Sequence, residues 1–188
     1  MPATRTLAGV ELPAPGVWKI DPGHAEVAFI GRHFMLTKVR GRFTGVTGAV
    51  TVGEDPADSS LDVVIDMASV VSGDQARDDH LRSADLFDVD THPTATFRST
   101  RVTRSGDTAG RIVGDLTIKS VTRPVTLDVE YLGHVHDPWE NDRAVFSAST
   151  TINREDWGLT WNMVLEAGGL LVSKEIRIEI EVETVHQT

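Results

Sequence analysis

The chain has 188 residues, a length that suits a single domain with a sizeable core. Hydrophobic residues make up 40% and charged residues 24%, as in ordinary globular proteins, and the formal net charge of -10 argues against nucleic acid as a partner. The absence of cysteine excludes disulfides, thiolate metal sites and a cysteine nucleophile.

Residues 1–15 show no regular hydrophobic pattern. Their prolines, Pro2, Pro13 and Pro15, favour a flexible lead-in before one domain over residues 16–188. No signal peptide is visible, and no apolar run reaches the ~20 residues that a membrane-spanning helix needs. We therefore expect a cytoplasmic protein without a membrane span, or a periplasmic or secreted one if a signal has been removed.

Apolar and polar residues alternate along most of the remaining chain. Alternation with a period of two indicates strands with one buried and one exposed face, the pattern of antiparallel sheets. A turn is predicted at Asp21–Gly23, and further turn signals lie at 53–60, 105–110 and 136–142. In chain order, the predicted strands lie near 17–20, 24–31, 39–52, 61–67, 94–103, 110–119, 125–132, 144–152 and 174–183.

Only one segment has the character of a helix. It is "GDQARDDHLRSADLF" at 73–87, with Asp74 as the N-cap and Leu81 as the apolar anchor, while "NREDWGL" at 153–159 is long enough for a single turn. About eight amphipathic strands can form either a two-sheet sandwich or a closed barrel. Glycines at 41, 45 and 48 favour the barrel, because glycine permits the sharp coiling that closure needs.

Several motifs, in a fixed order, carry a resemblance to a known family. They are "WKIDPGHAEVAFIGRH" at 18–33, "VRGRFTGVTGAV" at 39–50, "RDDHLRSADLFDVDTHPTATFRS" at 77–99, "GDLTIKSVTRPVTLDV" at 114–129, "INREDWGL" at 152–159 and "KEIRIEIEVE" at 174–183. Together they resemble the YceI-like family of bacterial polyisoprenoid-binding proteins over about 170 residues. Each motif alone has little specificity, and the resemblance depends on their order and spacing.

The resemblance implies an all-β fold: an elongated antiparallel eight-stranded lipocalin-like β-barrel with one short helix. It implies non-enzymatic binding, storage or transport of a long-chain isoprenoid, polyprenyl or quinone-like, or of another hydrophobic small molecule. No cofactor is expected, and a homodimer stays open. Many relatives are exported to the periplasm, whereas this chain shows no export signal, and this difference puts a periplasmic role in doubt.

The inward positions of the strands are the candidate ligand contacts. The alternative is that these side chains fill a solid core, as in most small barrels. Small residues on the same alternation, such as Gly41, Gly114 and Ala148, leave room for a void. His24 and His80 are candidate contacts for a polar head, and Trp157 and Trp161 either cover the cavity or pack their loop against the barrel. The candidate apolar contacts are Val27, Phe29, Phe43, Ile65, Met67, Phe97, Leu116, Ile118, Leu127, Val129, Phe146, Trp161, Ile178 and Ile180.

The acidic segment at 76–97 permits a second hypothesis. A metal-dependent enzyme would use His80, His92 and the neighbouring aspartates, but their spacing matches no familiar metal motif. The competing interpretation is a solvated acidic helix beside the barrel mouth, with Leu81, Leu86 and Phe87 as its buried face. The candidate ligands are Asp78, Asp79, His80, Asp85, Asp88, Asp90 and His92, joined by His24 or His33.

Overall fold

The computed structural model describes residues 3–166 and 169–188, and within these ranges the chain is mainly antiparallel β-strand. Three short 3-10 turns, at Pro56–Asp58, Met67–Ser69 and Arg154–Trp157, interrupt the strands. None of the helices in the described ranges has the length and apolar character needed to cross a bilayer. The elements are β1 (Thr4–Leu7), β2 (Val10–Pro13), β3 (Gly16–His33), β4 (Thr37–Phe43), β5 (Val46–Val52), β6 (Ser60–Asp66), β7 (Val70–Val71), α1 (Gln75–Arg82), β8 (Thr94–Arg104), β9 (Ala109–Ile118), β10 (Val121–His136), β11 (Asp142–Asn153) and β12 (Glu175–His186).

Eight strands form a closed ring. Their order is β3, β5, β6, β8, β9, β10, β11 and β12, and β12 pairs with β3 to complete the circle. Every pairing is antiparallel. β4 continues the line of β5 along the second half of β3, and β7 pairs with β4. The prediction of an eight-stranded antiparallel barrel with one short helix is confirmed.

The strand register gives the barrel two distinct ends. At the helix end, β3 finishes at His33 and β11 at Asn153, and α1 follows β7 beside them. At the opposite end β8 finishes at Arg104 and β12 at His186. We call it the hairpin end, because the hairpin formed by β1 and β2 packs there. From Glu175 to Glu181, β12 alternates half-buried isoleucines with exposed charged residues, so one face of this part of the strand is turned inward.

The flexible lead-in predicted for residues 1–15 is not what the structure has at residues 4–13, whereas residues 1 and 2 lie outside the described residues. β1 and β2 pair as a hairpin through a loop at Ala8 and Gly9, whose φ angles are 52° and 83°. Such left-handed angles are typical of two-residue hairpin loops. Leu12 packs with the fully buried Trp18 at the same end of the barrel, so apolar contact holds the hairpin of β1 and β2 in place.

The turn predicted at Asp21–Gly23 is also wrong, because β3 runs through it. Ile20 pairs with Thr184 and Ala25 with Val182, so the residues between them form a bulge opposite β12. The Gly23 amide donates to Asp21 Oδ1 at 3.0 Å and closes the bulge locally. Strand pairing on both flanks therefore overrides the local turn preference of the sequence.

The helix starts where the sequence predicted and ends earlier. Asp74 caps α1 by accepting from the Arg77 amide at 2.9 Å, but the helix stops at Arg82 rather than continuing to Phe87. The Phe87 amide instead donates to the Leu81 carbonyl at 3.0 Å, which turns the chain back. Leu81 and Phe87 pack against the barrel interior, as predicted for the buried face of this segment.

An arginine joins three neighbouring strands at the hairpin end. Arg143 of β11 donates to Asp21 of β3 at 2.7 Å, to Glu183 of β12 at 3.1 Å and to Asp137, beyond β10, at 2.6 Å. These side chains are largely buried, except for Glu183, which is about one-third exposed. The cluster therefore fastens the β3–β12 seam beside the bulge.

We expect Asp21 to contribute to acid sensitivity. Hydrogen bonds from Arg143 and then His24 lower the pKa of its carboxyl from 3.8 to about 2. A carboxylate with a lowered folded-state pKa stabilises the protein fully above its unfolded-state value, and this stabilisation disappears as the pH falls through the folded-state value. The difference in free energy of unfolding between wild type and Asp21→Asn, measured in urea, should be constant from about pH 7 to pH 5 and shrink as the pH falls from about 5 to 2. A difference that stays constant down to pH 2 would contradict this role.

Candidate functional site

An apolar cavity of about 690 Å³ lies inside the barrel. All eight strands of the ring contribute to its wall, and each apolar residue that the alternation placed inside lies on it. The volume is within the range of about 300–1,000 Å³ that is common for small-molecule sites. Ile112, Ile176 and Val182 also line the cavity and were missed, although they continue the same alternation as their neighbours.

The packed side chains form three clusters against the wall, two of which share neighbours such as Val63 and Ile180, and the lumen stays open. One cluster centres on Phe43 and Val46, one on Phe97 and Leu116, and one on Trp18 at the hairpin end. The solid core considered from the sequence is therefore not observed.

The small residues create this space in a different way from the one predicted. A Cβ atom on Gly41 would lie 2.2 Å from Cζ of Phe29, and one on Gly114 would lie 2.4 Å from Cζ of Phe97. Each ring therefore lies over a glycine of the adjacent strand, an arrangement in which an aromatic side chain covers the bare backbone of a glycine in a sheet. The glycines let the phenylalanines lie close to the wall, and the lumen beside them stays free.

The two tryptophans of the loop after β11 have different roles. Trp157 is 3% exposed and donates from Nε1 to the Leu116 carbonyl at 2.9 Å, so it packs its turn against the barrel. Trp161 lies on the cavity wall, with the His80 ring edge-on at 4.3 Å between centroids. His80 also lines the cavity, so the structure brings this predicted head contact to the helix end.

Sequence reasoning missed Arg154, which is 5% exposed and lies on the cavity wall at the helix end. Its Nε donates to the Ser173 carbonyl at 3.0 Å, and its Nη1 donates to the carbonyls of Leu159 and Trp161 at 2.7 and 3.0 Å. Burial lowers the pKa of the guanidinium, although arginine keeps its charge. The sequence held no signal for this burial, because "INREDWGL" reads as an exposed polar turn.

The other candidate head contact, His24, lies elsewhere. It sits in the β3 bulge with its side chain 59% exposed, and its Nδ1 is 3.0 Å from Asp21 Oδ2. It does not line the cavity. The bulge that replaced the expected turn directs this residue to the surface, so the structure does not bring it together with the other candidate contacts.

The structure does not gather the candidate metal ligands. His80 Nε2 is 2.9 Å from Asp85 Oδ2, Asp78 is buried, and His92 has its closest polar contact with Ser120 at 3.4 Å. Across residues 3–166 and 169–188, no three histidine, aspartate or glutamate side chains are arranged to hold a metal ion. The acidic segment instead forms α1 and the turns that follow it.

Comparison with known sequences gives one consistent match. The sequence model of the YceI-like domain family matches residues 18–184 of this chain. A UPF0312 protein of Pseudomonas paraeruginosa is 37% identical over 173 residues, which cover 90% of this chain and 87% of the relative. UPF0312 proteins of Pectobacterium carotovorum and Staphylococcus aureus are 36% and 34% identical, covering 96% and 87% of this chain and 91% and 94% of theirs.

Solved structures share the barrel. BcnA of Burkholderia cenocepacia aligns with a TM-score of 0.76 at 24% identity, covering 87% of this chain and 98% of BcnA. The YceI protein of Campylobacter jejuni gives 0.71 at 28% identity, covering 84% and 90%. A polyisoprenoid binding domain from Saccharophagus degradans gives 0.65 at 16% identity, covering 90% and 98%. At such low identity, the first and third of these comparisons establish the fold alone.

Proposed function

Because the chain belongs to the YceI-like domain family, we propose that it binds a long-chain isoprenoid or related amphiphilic lipid inside its barrel, without making or breaking bonds. The observation that carries this proposal is the cavity of about 690 Å³ whose wall takes apolar side chains from every strand of the ring. A polyisoprenoid binding domain from Saccharophagus degradans has the same barrel, and the proposal carries its ligand class over to this chain. A role in storage or transport would follow from this binding.

The energetics favour a long, flexible hydrocarbon. Each methylene group transferred from water to an apolar site contributes ~0.8 kcal/mol. Association costs an estimated 4–15 kcal/mol in lost translational and rotational freedom. A tail of about twenty buried methylene groups would gain about 16 kcal/mol and so offset that cost. Tight binding therefore needs few polar contacts, in keeping with the predominantly apolar wall.

Organic extraction of the purified protein tests the proposal. Protein purified without detergent, extracted with chloroform and methanol and examined by mass spectrometry, should release close to one equivalent of a hydrophobic molecule. After extraction and refolding, the protein should take up geranylgeraniol, and intrinsic tryptophan fluorescence should follow the titration because Trp161 lies on the cavity wall. A protein that releases no hydrophobe and gives no saturable titration would refute the proposal.

A further inference from the structure

Five large apolar residues are exposed together at the helix end of the barrel. They come from two loops, the one between β3 and β4 and the one between β11 and β12. Leu171 joins the loops, because its carbonyl accepts from the Phe34 amide at 2.9 Å and its amide donates to the Met163 carbonyl at 3.0 Å. We call these five residues the rim patch: Phe34, Met35, Leu36, Met163 and Val164.

The rim patch borders the cavity. His33, the neighbour of Phe34 in the chain, lies on the cavity wall together with Leu171, whereas the five residues of the patch lie outside it. Apolar residues therefore continue from the cavity wall onto the outer surface at this end. A group of exposed apolar side chains beside a ligand cavity is typical of an interaction site.

The turn between β3 and β4 has a backbone conformation that its residues disfavour. The Leu36 amide donates to the His33 carbonyl at 3.1 Å, and the two residues between them, Phe34 and Met35, have φ angles of 52° and 59°. Tight turns with two left-handed residues strongly favour Asn-Gly, because a bulky side chain is disfavoured at these angles. Two large apolar residues are therefore exposed where small polar ones would stabilise the turn better. Conflicts of this kind between local preference and sequence are expected at functional sites.

The charge around this turn is opposite to that of the whole chain. Residues 27–53 contain four arginine or lysine residues and no aspartate or glutamate, although the formal net charge of the chain is -10. Two of the four are paired with glutamates of β3 and β12. The other two, Arg32 and Lys38, are exposed, lie opposite each other on β3 and β4 directly behind the turn, and have no carboxylate within salt-bridge distance in the described ranges. Residues 158–173 of the second loop add one acidic residue, Glu166, so the positive charge belongs to the β3–β4 turn.

We propose that the rim patch docks the protein onto the surface of a phospholipid bilayer that contains anionic lipid. The inference rests on the proposed lipid-binding function, because it supplies the route by which a poorly soluble ligand reaches the cavity. An apolar tip flanked by cations has the chemistry that binds at the bilayer interface: the apolar side chains enter the acyl boundary, and the cations contact lipid phosphates. A protein partner fits the patch less well, since a stable interface takes roughly 20–30 residues from each chain.

Sedimentation with vesicles tests the rim patch. We expect wild-type protein to sediment with vesicles of equimolar phosphatidylcholine and phosphatidylglycerol, and several-fold less with phosphatidylcholine alone. The double variant Phe34→Asn, Met35→Gly places the favoured residues at the two turn positions, so its melting temperature should equal or exceed that of wild type. Its partition coefficient onto the mixed vesicles should nevertheless fall by about tenfold or more. Lys38→Gln should lower partitioning onto the mixed vesicles by about fivefold and leave phosphatidylcholine unaffected.

Trp139→Ser is the matched control. Trp139 is 76% exposed in the loop between β10 and β11, at the hairpin end, so its loss removes apolar surface without altering the rim patch. This variant should partition onto both vesicle types like wild type. If the double variant does not fold, Leu36→Asn replaces it: Leu36 is 78% exposed and lies outside the two left-handed positions, and its loss should also lower partitioning several-fold.

Equal partitioning of wild type and the double variant would overturn the inference, and so would wild-type protein that stays in solution with both vesicle types. Titration of the delipidated protein with geranylgeraniol keeps the proposed function separate. The double variant should bind geranylgeraniol like wild type, since Phe34 and Met35 lie outside the cavity wall. Failure of this titration in wild type overturns the proposed function, whereas the vesicles alone decide the rim patch.

Sedimentation velocity addresses the other possible occupant, a second copy of the chain. If the double variant converts a dimer into a monomer while partitioning onto vesicles is unchanged, the rim patch is an interface between two copies and the bilayer proposal is wrong. If the oligomeric state is the same in both proteins and only the partitioning falls, the bilayer is the occupant.

Discussion

Thr150→Phe is expected to abolish lipid binding while the barrel still folds. Thr150 lies on the cavity wall, opposite Ile178 of β12, so a phenylalanine there would project into the lumen. Because that space holds no side chains, the ring would add little of the strain that overpacking causes in a solid core. We expect at least a hundredfold loss of affinity for geranylgeraniol and a melting temperature close to that of wild type.

The neighbouring residue supplies the control. Thr151 is exposed on the outer face of the same strand, so Thr151→Phe adds the same ring on the other side of the wall. That variant should bind like wild type. If Thr150→Phe still co-purified with a full equivalent of lipid, the lumen would not be the binding site.

Gly48→Ala is expected to cause the largest loss of stability of any glycine substitution in the barrel. Gly48 has a φ of 144°, and a Cβ atom there would lie 2.0 Å from the carbonyl oxygen of Asp62 on the paired strand β6. Backbone cannot move aside without breaking the pairing, so we expect about 3 kcal/mol or more of destabilisation. For a chain of this length, that is a fall in melting temperature of roughly 6–12 °C.

Gly133 makes it possible to separate the cost of the backbone conformation from the cost of the steric clash. It has the same φ of 144°, but no atom lies within 4 Å of the Cβ position. Gly133→Ala therefore reports the cost of the backbone conformation alone, and thermal unfolding of the two variants gives the contribution of the clash. Equal losses in both would show that the contact with Asp62 is relieved at little cost.

The sequence was sufficient to predict the barrel and the inner face of its strands. The period of two places Ile178 and Ile180 on one face wherever the strand pairs, and burial then decides which face is inside. Local signals failed where tertiary pairing was stronger. Asp21–Gly23 has turn chemistry, yet the strand continues because its neighbours on both sides pair with β12.

Sequence patterns did not predict which side chains meet at the helix end of the cavity. His80 and Trp161 meet there, but they lie far apart in the chain and share no periodicity. Arg154 is buried by carbonyl groups of its own loop and of Ser173, contacts that leave no trace in residue type. The sequence shows the glycines, but the rings that cover them come from adjacent strands, and the positions of those rings depend on the strand register.

The seam between β3 and β12 has a consequence for how the protein is made. Phe29 pairs with Ile178, so the ring joins segments from opposite ends of the chain. Contacts of such high sequence separation slow folding, because the entropy of the long intervening loop is lost before the pairing compensates for it. During synthesis, the inner apolar faces of the earlier strands stay exposed to solvent until β12 has left the ribosome. A chaperone would protect the chain most during this interval.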